Sequence, residues 1–183
     1  MNKKPVEVTG ITVLRPYKGY MVILKEREGK RYLPIFIGIP EAHHISLLLQ
    51  NVKHVRPLTY DLFHNLINLA GSQVDEVTVT DLRDDTFYAE IDYRIRDTVK
   101  KVDARPSDAI ALAIRFKAPI YVNSVVMDKA GMIGEISTIP TSIEDRCREL
   151  NTQVEEAVEI EAYEEAARIR DQIRELEERQ RVS

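Results

Sequence analysis

Two segments of the chain repeat one local design: Arg56-Pro57-Leu58-Thr59-Tyr60-Asp61 and Arg105-Pro106-Ser107-Asp108. Each runs Arg-Pro, then a hydroxyl residue placed to cap a helix, then an aspartate in the first helical turn. A helix N-terminus offers unpaired backbone N–H groups and positive dipole character, and a neighbouring arginine grips phosphate through two hydrogen bonds. Either segment therefore suits a phosphate group, and its aspartate alternatively suits a divalent cation. A purely structural reading stands beside this: first-turn aspartates stabilise helices, and Arg56 and Arg105 can simply pair with Asp61, Asp108 or nearby carbonyls.

Metal-assisted nuclease chemistry needs a cation held by oxygen ligands, an activated water and charge stabilisation at phosphorus. Glu41, Asp61, Asp103 and Asp108 are the carboxylates near element ends. The expectation is that Arg56 and Arg105 meet phosphate, that Asp61, Asp103 and Asp108 surround Mg²⁺ or Mn²⁺, and that Glu41 completes the catalytic set. No pair among these carboxylates has a diagnostic spacing. His43, His44, His54 and His64 form no His-x-x-x-His pair, although Asp61 and His64 share a helix face at i,i+3. Nucleophilic catalysis has no support, since Ser107 reads as a helix cap and Cys147 falls on an apolar stripe. Gly10 and Gly19 are isolated, so no glycine-rich phosphate loop is present.

The elements that must position these residues follow from hydrophobic periodicity. Val6 to Leu14, Tyr20 to Lys25 and Arg31 to Ile37 read as sequential antiparallel strands. Pro40 opens a helix that carries Ala42, Ile45, Leu48 and Leu49 and ends near Asn51. A second helix runs from Thr59 as N-cap to Ala70, with Gly71 as its left-handed stop. Val74–Leu82 and Thr86–Tyr93 flank Arg83-Asp84-Asp85 as a hairpin, and Val99–Asp103 adds a strand. Ser107 caps a helix from Asp108 to about Phe116, and Pro119–Asn123 and Val125–Met127 read as short strands. Gly131 and Gly134 mark turns, and the composition changes at Pro140.

Beyond that point the pattern is strictly helical. Thr141-Ser142-Ile143-Glu144 has the form of a capping box, followed by Ile143, Cys147, Leu150, Val154 and Ala157 at helical spacing. Tyr163, Ala166, Ala167, Arg170, Ile173 and Leu176 form a second stripe, so residues 141–183 read as a helical hairpin. Residues 1–145 carry 19 basic and 19 acidic side chains, whereas residues 146–183 carry 7 and 11, so the whole net charge of −4 lies in the tail. A main domain without net positive charge is no strong duplex binder, because nucleic-acid affinity comes largely from neutralising phosphates. A hairpin this small needs its domain, a second copy or a partner to bury its stripe.

The single cysteine, Cys147, excludes an intrachain disulfide and fits a reducing compartment. No segment approaches the roughly 18–20 apolar residues of a membrane span. The expectation is a cytoplasmic protein with no membrane association.

Leu33-Pro34-Ile35-Phe36-Ile37-Gly38 with Glu41-Ala42, the Arg56–Asp61 segment, Phe87-Tyr88-Ala89 and Asp103-Ala104-Arg105-Pro106-Ser107-Asp108-Ala109 through Ala113 and Arg115 together resemble the bifunctional nuclease domain family. The resemblance runs from about Val6 to Ile139. It implies an α+β domain, often oligomeric, acting on both DNA and RNA. Val154-Glu155-Glu156-Ala157, Glu161 to Ala167 and Arg170-Asp171-Gln172-Ile173 resemble the UVR motif, a helical hairpin used for protein contacts. One departure is chemical: the family's Arg-Pro-x-Thr segment usually places histidine before the aspartate, and this chain has Tyr60. A phenol with a reference pKa of about 10 is a poor general base at neutral pH.

These readings converge on an α+β fold with a mixed, largely antiparallel sheet packed with helices over residues 1–140, then a helical hairpin over 141–183. The expected function is a divalent-metal-assisted nuclease acting on single-stranded or accessible DNA and RNA. A homo-oligomer, with a dimer favoured, and a protein partner held through residues 146–183 complete the expectation. The alternative is a non-enzymatic regulatory or adaptor protein that oligomerises and recruits a partner through the hairpin.

Overall fold

The computed structural model describes residues 2–14, 19–51, 54–134, 150–151, 154–155, 158 and 162–182. Backbone contacts divide the chain into two compact units, Met1–Ile139 and Pro140–Ser183. The larger unit is built on an eight-stranded sheet: β1 (Lys3–Leu14), β2 (Gly19–Glu26), β3 (Arg31–Ile37), β4 (Ser72–Arg83), β5 (Thr86–Ile95), β6 (Thr98–Ala104), β7 (Ile120–Asn123) and β8 (Met132–Ile133). Its spatial order is β6-β5-β4-β7-β1-β2-β3-β8. Each neighbouring pair is antiparallel except β4 and β7, which run parallel with Val77 opposite Ile120. The fold is therefore α+β with a mixed, largely antiparallel sheet.

Strand β2 is covered on both faces, since the successive residues Val22, Ile23 and Leu24 are all fully buried. The β4–β5 turn places Asp84 and Asp85 at positive φ, the geometry in which a two-residue loop matches the twist of its strands. Among the described residues, four helices accompany the sheet: α1 (Ile39–Leu49), α2 (Thr59–Leu69), α3 (Pro106–Phe116) and α4 (Ser124–Ala130). Helix α3 is the central one. Ala109, Ile110, Ala111, Leu112 and Ala113 are all buried in one core cluster with Val22, Val77, Val79 and Ile45.

Three expectations about these elements need correction. Thr59 is the first residue of α2 and Leu58 its N-cap; the Asp61 carboxylate accepts the Leu58 N–H at 3.0 Å, so the acid three residues on does the capping. Ser107 is likewise inside α3, which begins at Pro106 with Arg105 as N-cap, because the preset φ of proline suits the first helical position. Val125–Met127 belongs to α4 instead of a strand. The Gly131 N–H donates to the Met127 carbonyl oxygen at 2.9 Å, the i→i−4 bond that closes a helical turn, and it is this backbone bonding that makes the segment a helix. Gly71 stops α2 at φ +66°, as its position in the sequence predicts.

In the smaller unit, helix α5 (Tyr163–Val182) follows helical residues at 150–151, 154–155 and 158. Leu150, Val154, Ala166 and Ile173 form a buried cluster of their own, joined by Ala162 and Ile169. The expected capping box at 141–144 and Cys147 lie outside the described residues. Among the described residues no helix is long and apolar enough to cross a membrane.

The central helix makes a direct test of this packing. Ile110→Ala removes a fully buried side chain from a close-packed site, so it should lower unfolding stability by about 2–5 kcal/mol in chemical denaturation.

Candidate active site

The two Arg-Pro segments lead into α2 and α3, and the second of them organises the site. Pro106 starts α3, leaving the Arg105 side chain at the helix mouth and Asp108 in the first turn. The Arg105 guanidinium donates from Nε to Asp108 Oδ2 at 2.7 Å, from Nη2 to Asp108 Oδ1 at 3.1 Å and from Nη1 to Glu41 Oε1 at 3.1 Å. Its proton is held above the ordinary arginine value first by Asp108 and then by Glu41.

Glu41 reaches this position from the first turn of α1, and Gly38 permits it. A Cβ at Gly38 would lie 2.3 Å from Glu41 Oε2, so only glycine leaves room for the carboxylate to fold back over the helix start. The third contributor is Tyr60 of α2, whose hydroxyl donates to Asp108 Oδ1 at 2.8 Å. Burial, followed by the Asp108 hydrogen bond, pushes the Tyr60 phenol well above its ordinary pKa of 10.0. Tyr60 is thus a fixed neutral donor that orients Asp108 and does not serve as a base. His44 packs edge-on against the Tyr60 ring at 5.6 Å, with its Nδ1 2.8 Å from the Pro40 carbonyl oxygen.

The structure therefore brings together Glu41, Arg105 and Asp108, joined by Tyr60. Asp61 is directed elsewhere: its Oδ2 caps α2 at Leu58, and its Oδ1 lies 2.8 Å from Arg115 Nε in the last turn of α3. The Arg115 Nε–H has no acceptor in line with it, so this contact is an ion pair without a hydrogen bond. Asp108 and Arg115 are seven residues apart, two turns on one face of α3, about 10 Å along its axis. Tyr60 and Asp61 consequently engage opposite ends of α3. Asp103 is exposed on β6, opposite Glu90 in the strand register. Arg56 is exposed in the loop before α2.

This arrangement does not gather a cation site of the expected kind. Asp61, Asp103 and Asp108 sit on three different sets of partners, and among the described residues no three His, Cys, Asp or Glu side chains group as metal ligands. Sequence reading missed Tyr60 as a donor, along with His44 and Arg115. The signal was the adjacency of Tyr60 and Asp61 combined with the seven-residue spacing of Asp108 and Arg115, a two-point attachment of one helix to another.

Arg105 and Glu41 open onto a cleft of about 370 Å³ that is also lined by Phe36, Gly38, Asp85, Phe87 and Ser107. Phe36 is the penultimate residue of β3, whereas Asp85 lies in the β4–β5 turn and Phe87 on β5, five positions from β3 in the sheet order. The sheet must curl for both to line one cleft. The mouth of α3 lies inside that curl, so Arg105 is presented to a concave surface.

Residues 22–135, which take in the cleft, all three helices that meet at Asp108 and both Arg-Pro segments, match the bifunctional nuclease domain. The chain belongs to the bifunctional nuclease domain family. A second match, to the UvrB/uvrC motif, covers residues 144–179. Among relatives, an uncharacterized protein of Mycobacterium tuberculosis is 45% identical over 128 residues, spanning 70% of this chain and 76% of that protein. Bifunctional nuclease 1 of Arabidopsis thaliana is 30% identical over 177 aligned positions, covering 83% of this chain and 54% of its own length. Bifunctional nuclease 1 of Oryza sativa subsp. japonica is 27% identical over 118, covering 62% and 35%. The chain thus spans about half or less of the length of these plant proteins.

The raised Tyr60 pKa has a signed consequence. A group whose folded pKa lies above its unfolded value contributes stability below the unfolded pKa and loses it as pH rises through the folded one. Wild-type protein should be more stable than Tyr60→Phe up to about pH 10, and the gap should narrow as pH rises further. Alkaline absorbance titration should show one of the eight tyrosines ionising last, and that component should be absent from Tyr60→Phe.

Proposed function

We propose that this protein is a nuclease that hydrolyses phosphodiester bonds in DNA and RNA at the Arg105 cleft. The observation that carries the reading is the Arg105 guanidinium, held by two carboxylates at the mouth of a helix within a bifunctional nuclease domain. A guanidinium is a planar fork matched to phosphate oxygens. On substrate binding, Arg105 exchanges its single bond to Glu41 for a phosphate oxygen while Asp108, fixed by Tyr60, keeps the guanidinium in place. Glu41, released beside the phosphate, accepts a proton from the attacking water. The water oxygen forms the new bond to phosphorus, the ester P–O bond breaks, and the departing oxygen takes a proton from solvent.

Among the described residues no three carboxylates group as cation ligands, so no step of this scheme is routed through Mg²⁺ or Mn²⁺, and the metal enters as a variable of the test. Single-stranded or accessible DNA and RNA, cytoplasmic location and a protein partner at residues 146–183 belong to the same proposal. The names of the plant relatives and the UvrB/uvrC motif match support it.

A second reading is favoured by one observation: the paired arginine already has all its anchoring from the protein's own acids, the condition of a structural ion network. In that case the protein is a regulatory or adaptor molecule.

Cleavage of labelled single-stranded DNA and RNA by highly purified full chain, in Mg²⁺, Mn²⁺ or EDTA, separates the two. Arg105→Ala and Asp108→Asn should each reduce cleavage by about 100-fold or more, the scale of losing one charge-stabilising group, with far-UV spectra unchanged. Equal traces of activity in wild type and both variants would mark contamination and leave the adaptor reading standing.

A further inference from the structure

Building on the nuclease reading of the Arg105 cleft, we propose that Ser107 and Phe36 make it a subsite for one unpaired nucleotide, Ser107 holding the phosphate and Phe36 stacking the base. Ser107 carries an idle hydroxyl. The residue is only 7% exposed, yet its side chain makes no hydrogen bond among the described residues. Among those residues the one wholly enclosed side-chain polar atom without a partner is Arg115 Nε. The Ser107 oxygen therefore keeps an opening, and the cavity that Ser107 lines is the Arg105 cleft. A residue of this type at a helix start commonly spends its hydroxyl on capping, and here Arg105 holds the cap position instead.

The backbone adds a second donor. Pro106 has no N–H, so the Ser107 amide is the first of α3, and the bonds of this turn begin only with Asp108, which donates to the Arg105 carbonyl oxygen at 3.1 Å. Amide and hydroxyl of one residue thus sit together at the positive end of a helix. A helix start alone is an ordinary structural feature; the buried, unpartnered hydroxyl beside it is what points to a ligand. Arg105 is shared between Glu41 and Asp108, so much of its charge is compensated within the protein. Two donors that no carboxylate neutralises supply what the guanidinium lacks, and a tetrahedral phosphate can meet Arg105 and Ser107 through different oxygens.

Phe36 lies on the wall of the same cleft and is 62% exposed, although its strand neighbour Ile35 is buried. An exposed ring in a concave site is a stacking platform, since every base has a π face whatever the sequence. The cleft volume of about 370 Å³ stands at the low end of the roughly 300–1,000 Å³ of small-ligand sites, room for one nucleotide and not for a stacked base pair. The rim also carries the exposed carboxylate of Asp85, which repels a second phosphate and leaves the remaining space to an uncharged base. Neither contact touches the 2′ position of the sugar, so DNA and RNA meet the same two residues.

Titration of the full chain with inorganic phosphate and with adenosine monophosphate, followed by amide proton–nitrogen correlation NMR, tests both contacts without any cleavage step. The Ser107 amide resonance should shift with either ligand. Ser107→Ala should weaken both ligands by at least about tenfold, the scale of one hydrogen bond to a charged group. Phe36→Ala should leave phosphate binding unchanged and weaken the nucleotide by about 5- to 150-fold, the loss of one base stack. Phe36→Tyr should restore nucleotide affinity and Phe36→Leu should not, which separates stacking from apolar contact. The Ser107 hydroxyl has no partner to lose and the Phe36 ring is mostly exposed, so circular dichroism should be unchanged throughout. Wild type that binds no nucleotide at millimolar concentration, nucleotide bound equally by wild type and Phe36→Ala, or phosphate bound equally by wild type and Ser107→Ala overturns the proposal. Cleavage lost in Arg105→Ala with nucleotide binding unaltered in Phe36→Ala and Ser107→Ala keeps the nuclease and rejects the subsite. The expected binding pattern without cleavage keeps the subsite and rejects the nuclease.

Discussion

Helix α3 can lie where it does only because the side chains around its waist are small. Ala109, Ala111 and Ala113 are completely buried, and with Ile110 and Leu112 they leave no solvated side to the middle of the helix. Alanine lets a helix approach its neighbours closely without the rotamer entropy of longer side chains. Larger residues here would hold α1 and α2 away from α3. The distances of about 3 Å that join Glu41, Tyr60, Arg105 and Asp108 would then not form. The polar network is thus a consequence of apolar packing two residues further along the same helix.

Network and packing divide the work by depth. The alanine waist is dry and sets spacing, whereas the N-terminal turn is open on one side and sets charge. Arg105 is two-thirds exposed, so its pairing with Glu41 and Asp108 adds little to stability and much to orientation. Tyr60 is the partly buried member, and desolvation makes its hydrogen bond to Asp108 worth more than a solvated one. The histidine expected at this position from the family pattern would bring a titratable ring to the same carboxylate. The tyrosine substitutes a donor that stays neutral across the physiological range.

Much of this was legible in the sequence because strand and helix periods are local. The first three strands, the β4–β5 hairpin, α2 with its Gly71 stop and the coarse α+β class all follow from patterns within a dozen residues. Val125–Met127 misled because three apolar residues are too few to distinguish a strand from one turn of helix, and only the backbone hydrogen bonding of the turn separates them. Thr59 and Ser107 were natural cap candidates by type. Asp61 took the Leu58 N–H in one case, and the fixed φ of Pro106 moved the helix start forward in the other. The site was partly legible. Glu41, Arg105 and Asp108 meet, but Asp61 is drawn to Arg115 by a long-range pairing that no local spacing encodes. The cleft itself depends on the curl of the whole sheet.

The position of β7 carries a consequence for how the chain comes to be folded. Strands β1, β2 and β3 form one meander and β4, β5 and β6 another, each made of neighbours in sequence. The only strand that joins them is the four-residue β7, which is antiparallel to β1 on one side and parallel to β4 on the other. Emerging from the ribosome, the two meanders can form early and independently, but until Ile120–Asn123 has appeared, β1 and β4 keep unpaired edges. Those edges are open to other nascent chains. The late, short strand acts as a keystone: the sheet's two inner edges close only once it has been made.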